Sequence, residues 1–222
     1  MENTSKKSWD DHYLNDSALR HHRAQNEAIT KDFLIHASCR PVPEIMNALQ
    51  TSKVIIEHGC GTGEMVAFLA KHFPNTKFIG TEYSENVLKA TNIYSGQIKN
   101  VTYQLCDVMN DDLPLPGADL AIMSNVLEHF SNWKLVVDKL LFAYKKVLII
   151  VPYKERLDAC PPQGGGEGGM GHHASFSEES FSSLGYDIIR DMVFFSLQGW
   201  GVSWAGECPL QYAVLLRGRS NN

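Results

Sequence analysis

Short, almost uninterrupted runs of β-branched and other apolar residues recur along the chain and alternate with longer, more polar segments. Between residues 54 and 151 these runs are Val54 to Glu57, Lys77 to Glu82, Val101 to Cys106, Leu120 to Ser124 and Lys146 to Val151. Because nearly every position in a run is apolar, we predict strands that are covered on both faces, as in a parallel sheet. Strands that alternate with helices predict a three-layer α/β sandwich.

Three helices are predicted between these strands, at Gly63 to His72, Ser84 to Tyr94 and Trp133 to Tyr144. The second begins with a serine that can cap it, and Val87 and Leu88 then follow at helical spacing. Each helix is long enough to serve as a right-handed crossover between parallel strands.

The pattern changes after the fifth predicted strand. A Pro- and Gly-rich stretch, Pro161 to Gly171, precedes a helix that opens at Ser177 and two further strands, Asp187 to Ser196 and Gln211 to Arg217. The glycines of this stretch predict either a flexible surface loop or a mobile lid at the carboxyl end of the sheet.

Length and composition are those of a globular domain. The chain has 222 residues and a mass of 24.8 kDa, with 44% hydrophobic and 20% charged residues, which is enough apolar material for a core. We expect one domain over residues 1–222, with a helical cap at 1–50 and the sheet at 51–222.

The net charge and the cysteine content indicate which binding partners and which cellular compartment to expect. The net charge of -5 and pI of about 6.0, with Lys and Arg scattered along the chain, disfavour nucleic acid as a partner. The five cysteines are odd in number and form no CxxC pair, which argues against a disulfide framework or a thiolate zinc site. No apolar stretch approaches the roughly 18 residues of a membrane helix, so we expect a soluble, cytoplasmic protein.

The first strand runs directly into a glycine-rich turn, in the sequence VIIEHGCGTGE from Val54 to Glu64. Gly59, Gly61 and Gly63 permit unusual backbone torsions and close approach of a ligand to the main chain, next to the free N–H groups of a helix N-terminus. A tight turn without a ligand is the alternative. The third glycine falls one position too early for the GxGxxG pattern of a dinucleotide site, which disfavours an NAD-dependent oxidoreductase.

Acidic residues end the next two predicted strands. Glu82 lies 19 positions after Gly63, where its carboxylate can accept both ribose hydroxyls of an adenosine. Asp107 ends the third strand and can accept a hydrogen bond from the exocyclic amine of adenine, or it can simply form a turn.

These motifs resemble those of the class I S-adenosylmethionine-dependent methyltransferases, in the broad group that acts on small molecules. The resemblance covers roughly residues 8–217 and rests on EHGCGTGE, on Glu82, on the pair Cys106 and Asp107, and on SNVLEHF from Ser124 to Phe130. It implies a Rossmann-like fold whose sheet has seven strands, mostly parallel, with one antiparallel strand.

The resemblance also implies a site for S-adenosylmethionine and its product S-adenosylhomocysteine. The methionine moiety is expected near Glu57, Gly59 and Asn125, the ribose at Glu82 and the adenine at Asp107. Glu57 and Glu82 stand where an aspartate is common, and both keep the carboxylate. The expected cofactor residues are Glu57, Gly59, Cys60, Gly61, Gly63, Glu82, Tyr83, Asp107, Val108 and Asn125.

Three histidines are candidates for catalysis. His129 follows the fourth strand, and His172 and His173 follow the glycine-rich stretch. An imidazole, with an ordinary pKa near about 6.5, is suited to removing a proton from an acceptor at neutral pH. A packing or surface role is the alternative for each of them.

A divalent metal ion is the alternative to a histidine base. Glu128 and His129 with a later histidine could supply mixed oxygen and nitrogen ligands. Asn125, Glu128 and His129 would share one face if this segment is helical. This spacing resembles the metal-dependent 2′-O-methyltransferases of small RNAs and some ubiquinone-pathway O-methyltransferases. Their first acidic ligand would here be Asn125, so a metal is not the favoured interpretation.

We therefore expect methyl transfer to a small polar or glycan-like acceptor, first on oxygen and next on nitrogen. The segment from VPYKE to GHHASF is similar to methyltransferases of secondary metabolism and of cell-surface glycan assembly. A module that binds S-adenosylmethionine without catalysis and activates a partner is the alternative from a different class.

Overall fold

The structure is a computed structural model that describes residues 16–39, 43–95, 97–155, 157, 172–196 and 210–218. The predicted stretch at 161–171 lies outside the described residues, as do the first 15 residues of the expected cap. The strands of the described residues form one seven-stranded sheet in the order β3-β2-β1-β4-β5-β7-β6. Their bounds are β1 Val54–His58, β2 Lys77–Glu82, β3 Val101–Leu105, β4 Leu120–Ser124, β5 Lys146–Pro152, β6 Ile188–Phe195 and β7 Leu210–Arg217.

Strand direction agrees with the fold expected from the sequence. Strands β1 to β5 pair in parallel, whereas β7 runs antiparallel to both of its neighbours, β5 and β6. One antiparallel strand in an otherwise parallel, seven-stranded sheet confirms the predicted Rossmann-like class.

Helices lie on both faces of this sheet. They are α1 Asp16–Cys39, α2 Pro43–Thr51, α3 Glu64–His72, α4 Glu85–Ser95, α5 Trp133–Ala143 and α6 Glu178–Ser182, with a 3-10 turn at Leu127–His129. Gly63 and Tyr144, which the sequence placed inside helices, cap α3 and α5 from outside. None of the helices among the described residues is both long and apolar enough to span a membrane.

Successive side chains of β1 belong to two different apolar clusters, one on each face of the sheet. Ile55 is buried in a cluster with residues of α1, α2 and α3, whereas Ile56 is buried in a second cluster with residues of α5 and α6. Since successive side chains of a strand point to opposite faces, an all-apolar strand fills both clusters. The central strands are therefore buried on both sides. The prediction of cover on both faces is wrong for the edge strand β3, where Thr102, Gln104 and Leu105 are exposed because β3 has a neighbouring strand on one side only.

Parallel pairing brings five strand ends to one edge. Register pairs such as His58 with Met123, and Ser124 with Ile150, place the ends of β1, β4 and β5 side by side, and the end of β2 lies beside β1. Open α/β sheets bind ligands outside these carboxyl ends. The residues that follow each strand are consequently the candidates for a functional site.

Candidate active site

Positive φ angles define the glycine-rich turn between β1 and α3. Gly59, Gly61 and Gly63 have φ values of 69°, 52° and 80°. A β-carbon on Gly59 would lie 2.6 Å from a Val126 methyl carbon, and one on Gly63 would lie 2.7 Å from the Thr91 methyl carbon. Torsion and packing thus require glycine at both positions, because a side chain would be strained and would collide with its neighbours.

Glu82 joins the end of β2 to this turn. Its side chain is buried, with 6% of its surface exposed. One carboxylate oxygen accepts the Gly61 backbone N–H at 3.1 Å, and the other accepts those of Tyr83 at 3.0 Å and Ser84 at 3.1 Å. These contacts fix the Glu82 carboxylate at the end of β2, beside the glycine-rich turn.

Asp107 organises the turn after β3. Its carboxylate accepts the Met109 backbone N–H at 2.9 Å and the Asn110 side-chain amide at 2.8 Å. The preceding residue, Cys106, donates its N–H to the Glu82 carbonyl at 3.0 Å, which sets the two strand ends side by side, and Val108 is buried in the same turn. Asp107 therefore has one of its two predicted roles, that of forming a turn. It also lies beside the end of β2, where a residue that contacts adenine is expected.

Glu57 is a buried carboxylate at the end of β1. Burial, followed by the negative charges of Glu64 and Glu82, raises its pKa well above the ordinary value. Its Oε2 has no hydrogen-bond partner among the residues that the structure describes. A buried acceptor of this kind is costly to leave unpaired, so the site favours a ligand that brings a donor or a positive charge.

A small cavity, partly open to solvent, lies between α1 and the glycine-rich turn. Predicted cofactor residues line one side of it. Residues of α1 that the sequence analysis did not single out line the other side. The lining residues are Asn26, Ile29, Thr30, Glu57, Gly59, Cys60, Met65 and Ser124.

An ion pair fixes α1 beside this cavity. Arg23 Nε lies 2.7 Å from a carboxylate oxygen of Glu64, and the other oxygen of that carboxylate accepts the Thr62 hydroxyl. The signal that could have shown how α1 docks is the apolar stripe of Ile29, Phe33 and Ala37, which recurs every four residues and is buried. The first helix is thus part of the site.

Asn125 follows β4 in a left-handed conformation, with φ of 51°. Its backbone N–H donates to Ile150 at 2.8 Å, its side-chain amide lies 3.3 Å from the Ser124 hydroxyl, and its buried Oδ1 lacks a partner within the described part of the chain. The condition for a shared helical face of Asn125, Glu128 and His129 is not met, because the helical turn is short, of the 3-10 type, and begins only at Leu127.

Glu128, His129 and His172 come together at the carboxyl edge beyond β4. One carboxylate oxygen and one nitrogen of each imidazole lie within 4.8 Å of one another. The two imidazole rings are nearly perpendicular, with centroids 4.8 Å apart. The backbone N–H of His173 donates to the Glu128 carbonyl at 2.7 Å and so holds the later segment against the 3-10 turn. We call these three side chains the Glu128–His129–His172 cluster.

Glu155, after β5, completes the surroundings of this cluster. Its carboxylate oxygen lies 2.5 Å from His172 Nδ1. Burial lowers the pKa of His172, but the hydrogen bond to Glu155 and the charges of Glu128 and Glu155 outweigh it, and the net pKa is raised. Burial also raises the pKa of Glu128 to about 7. Sequence patterns gave no signal for Glu155, which meets His172 only through the fold.

His173 is separate from the cluster. Its backbone contacts Glu128, while its buried Nε2 has no hydrogen-bond partner in the described ranges. The structure therefore brings together two of the three predicted catalytic histidines, His129 and His172.

Comparison with known families found a match in the central part of the chain. Residues 56–146, from β1 to the start of β5, match the model of a family described as a methyltransferase domain. This stretch contains the glycine-rich turn, Glu82, Asp107 and Asn125. This match covers less than half of the chain and, with the fold, it supports the predicted class I methyltransferase domain.

A curated relative and two solved structures extend this comparison. Over 96 residues the chain is 29% identical to phosphoethanolamine N-methyltransferase 1 of Arabidopsis thaliana, a match that covers 42% of this chain and 18% of the relative. The fold is similar to that of the plantazolicin methyltransferase BpumL in complex with S-adenosylhomocysteine, at 16% identity and a TM-score of 0.58, covering 96% of this chain and 95% of that one. It is also similar to the N-terminal domain of EvdMO1 in the presence of S-adenosylhomocysteine and D-fucose, at 15% identity and a TM-score of 0.55, covering 80% and 81%.

Proposed function

We propose that this protein transfers the methyl group of S-adenosylmethionine to an oxygen atom of a small polar or glycan-like acceptor. One observation carries the proposal, namely the order of polar groups along the carboxyl edge of the sheet. The glycine-rich turn, Glu82 and Asp107 follow β1, β2 and β3, whereas the Glu128–His129–His172 cluster and Glu155 follow β4 and β5 on the other side of β1. Donor and acceptor halves of a site would then meet near the end of β4.

The donor half fits the cofactor in charge and in shape. Glu57 offers to the ammonium group of the methionine moiety a buried carboxylate oxygen that has no partner among the described residues, and Glu82 offers its carboxylate to the ribose hydroxyls. Asp107 stands beside Glu82 for the adenine amine. With these assignments the sulfonium would point towards Ser124, which lines the cavity, and towards Asn125, which follows it in the chain.

The acceptor half fits a hydroxyl group. Methyl transfer from a sulfonium is an in-line displacement, so the protein must align the two reactants and help a hydroxyl to lose its proton. The cluster supplies a carboxylate and two imidazoles for that task. In the reaction the oxygen–methyl bond forms as the sulfur–methyl bond breaks, the hydroxyl proton leaves, and the sulfonium becomes a neutral thioether.

The names of similar proteins bear on the class of acceptor and on the methylated atom. The EvdMO1 domain was solved with D-fucose, and BpumL acts on plantazolicin, which supports a glycan-like acceptor and a role in secondary metabolism. Phosphoethanolamine N-methyltransferase 1 supports the alternative of N-methylation. The buried, proton-accepting cluster favours oxygen, because a hydroxyl is the weaker nucleophile and gains more from losing its proton.

A pooled acceptor assay tests this function. The full chain is incubated with S-adenosylmethionine and separate pools of sugars, phenols and amines, and the release of S-adenosylhomocysteine is measured together with the mass of the product. We expect turnover in a hydroxyl pool and its loss in the Glu82→Ala variant. Turnover confined to the amine pool would contradict O-methylation, and tight cofactor binding without turnover in any pool would favour a non-catalytic binding module.

A further inference from the structure

We propose that the Glu128–His129–His172 cluster is a binding site for a divalent transition-metal ion, in which Glu155 orients His172. The site would take one carboxylate oxygen from Glu128 and one nitrogen from each histidine. This ligand set comes from the three-dimensional structure, which brings His172 to Glu128 and Glu155 to His172. Asn125 has no role in it.

Distances between the donor atoms fit such an ion. Zinc binds imidazole nitrogen at about 2.0–2.1 Å and carboxylate oxygen at about 2.0–2.2 Å, so donors around one ion lie about 3–4 Å apart. The three donor atoms already lie within 4.8 Å of one another. A shift of about 1 Å or less in side-chain position would bring them into the coordination range.

Backbone hydrogen bonds hold the ligands in place. His129 donates its N–H to the Val126 carbonyl at 3.2 Å within the 3-10 turn, and the segment bearing His172 is fixed through the His173 N–H on the Glu128 carbonyl. Two ligands therefore come from one rigid turn, and the third comes from a segment bound to that same turn. Such preorganisation reduces the cost of gathering the ligands around an ion.

The burial of Glu128 is a second, independent reason to propose a metal ion at this cluster. Its side chain is 1% exposed, and its Oε2 has no hydrogen-bond partner among the described residues. No ion pair to a lysine or arginine is found for it within the described part of the chain. Buried carboxylates in proteins are generally paired or bound to a metal, and the neighbouring imidazoles make a metal the fitting partner.

Glu155 acts as a positioning residue. Its carboxylate lies 2.5 Å from Nδ1 of His172, which leaves Nε2 as the nitrogen that His172 can offer to an ion. Histidine ligands commonly place their other ring nitrogen on a carboxylate in this way, which fixes the ring and strengthens it as a ligand.

Mixed nitrogen and oxygen donors select the class of ion. Imidazole suits zinc, iron, nickel and copper, whereas magnesium and calcium prefer sites made only of oxygen. Three protein ligands also leave at least one coordination position open, as in catalytic zinc sites. If the proposed function holds, the acceptor hydroxyl would take that position and lose its proton to water more readily than when free.

Titration of Zn²⁺ and of Co²⁺ into the full, chelator-treated chain tests the site. We expect one ion per chain, with visible absorption bands from the bound Co²⁺. Glu128→Gln and His172→Ala should weaken binding at least tenfold, and Glu155→Gln should weaken it about 10- to 100-fold. His72→Ala is the matched control, because His72 is an exposed histidine on α3 and should leave metal affinity unchanged.

Binding of S-adenosylhomocysteine to each variant verifies that it is folded, since the predicted cofactor residues lie on the other half of the site. If Glu128→Gln fails to fold, the metal affinities of His172→Ala and Glu155→Gln test the site instead, because these two side chains are less buried. The absence of saturable Zn²⁺ and Co²⁺ binding in the parent, or parental affinity in the folded variants, overturns the site. One bound ion without methyl transfer supports the metal site and counts against the proposed function. Methyl transfer by a chain that binds no ion supports the proposed function and counts against the metal site.

Discussion

The Glu82 carboxylate accepts the backbone N–H of Gly61 at 3.1 Å, so the end of β2 and the glycine-rich turn form one unit. The same carboxylate also accepts two backbone N–H groups from the residues that follow it. A residue expected from the sequence to bind ribose is therefore also a structural support for the turn on which the cofactor would lie.

Replacing Glu82 should affect both roles. Charge-assisted hydrogen bonds are worth about 1.5–3 kcal/mol, so we expect Glu82→Ala to weaken binding of S-adenosylhomocysteine roughly 10- to 100-fold and also to lower the melting temperature. Calorimetric titration and thermal unfolding measure the two effects. Glu82→Gln keeps the side-chain volume and one acceptor oxygen, and it should fall between the parent and Glu82→Ala in both. An affinity within about threefold of the parent in Glu82→Ala would remove Glu82 from the cofactor site.

Asp107 can be tested by separating its turn from its proposed contact with adenine. Asp107→Ala removes both, whereas Asp107→Asn keeps an oxygen that can accept the Met109 N–H and loses the charge. We expect both variants to bind S-adenosylhomocysteine about three- to tenfold more weakly, a smaller loss than for Glu82, because backbone groups can also contact the adenine. Parental affinity in Asp107→Asn with a loss only in Asp107→Ala would show that Asp107 serves the turn alone.

Periodicity predicted the sheet, and strand-end motifs predicted which polar residues gather at its carboxyl edge. Unbroken apolar runs such as Ile55 and Ile56 can only be satisfied by burial on both faces, which defines a parallel sheet with helices on each side. Once the strands are parallel, Gly59, Glu82 and Asp107 must share one edge.

The remaining parts of the site arise from contacts between distant segments. The pairs Arg23 with Glu64 and Glu155 with His172 are separated by 41 and 17 residues, and neither has a periodic signal. The left-handed backbone at Asn125 likewise cannot be read from a pattern, and Asn125 lies outside the helical turn that begins at Leu127.

Glu57 should make the ligand-free protein less stable. Its pKa is raised in the folded chain by burial and then by the charges of Glu64 and Glu82, so folding favours the protonated form. Stability is thus lost as the pH rises from the ordinary glutamate pKa through the raised pKa. We expect Glu57→Gln to melt about 2–4 °C above the parent at pH 8, corresponding to about 1 kcal/mol, with a smaller difference at pH 5.

The same variant should bind the cofactor poorly. Glu57→Gln loses the charge proposed to pair with the methionine ammonium, so we expect affinity for S-adenosylhomocysteine to fall at least about tenfold. Scanning calorimetry at the two pH values and titration with the ligand measure both effects. A variant that is less stable than the parent at pH 8 would show that Glu57 supports the fold rather than a ligand.

Catalysis should depend on His172 and far less on His173, although the two are adjacent in sequence. His172 lies in the cluster and contacts Glu155, whereas His173 contacts Glu128 only through its backbone N–H, which survives substitution. Loss of a proton-accepting group commonly lowers a rate about 10²- to 10⁴-fold, so His172→Ala should lose that much methyl transfer while S-adenosylhomocysteine affinity stays near parental. His173→Ala is the matched control, since it removes a neighbouring imidazole of the same size and should keep a rate within about tenfold of the parent. Rates are measured at saturating cofactor with the acceptor identified in the pooled assay. Equal losses in the two variants would show that the segment matters only for packing, and parental rates in both would assign the reaction to alignment of donor and acceptor alone.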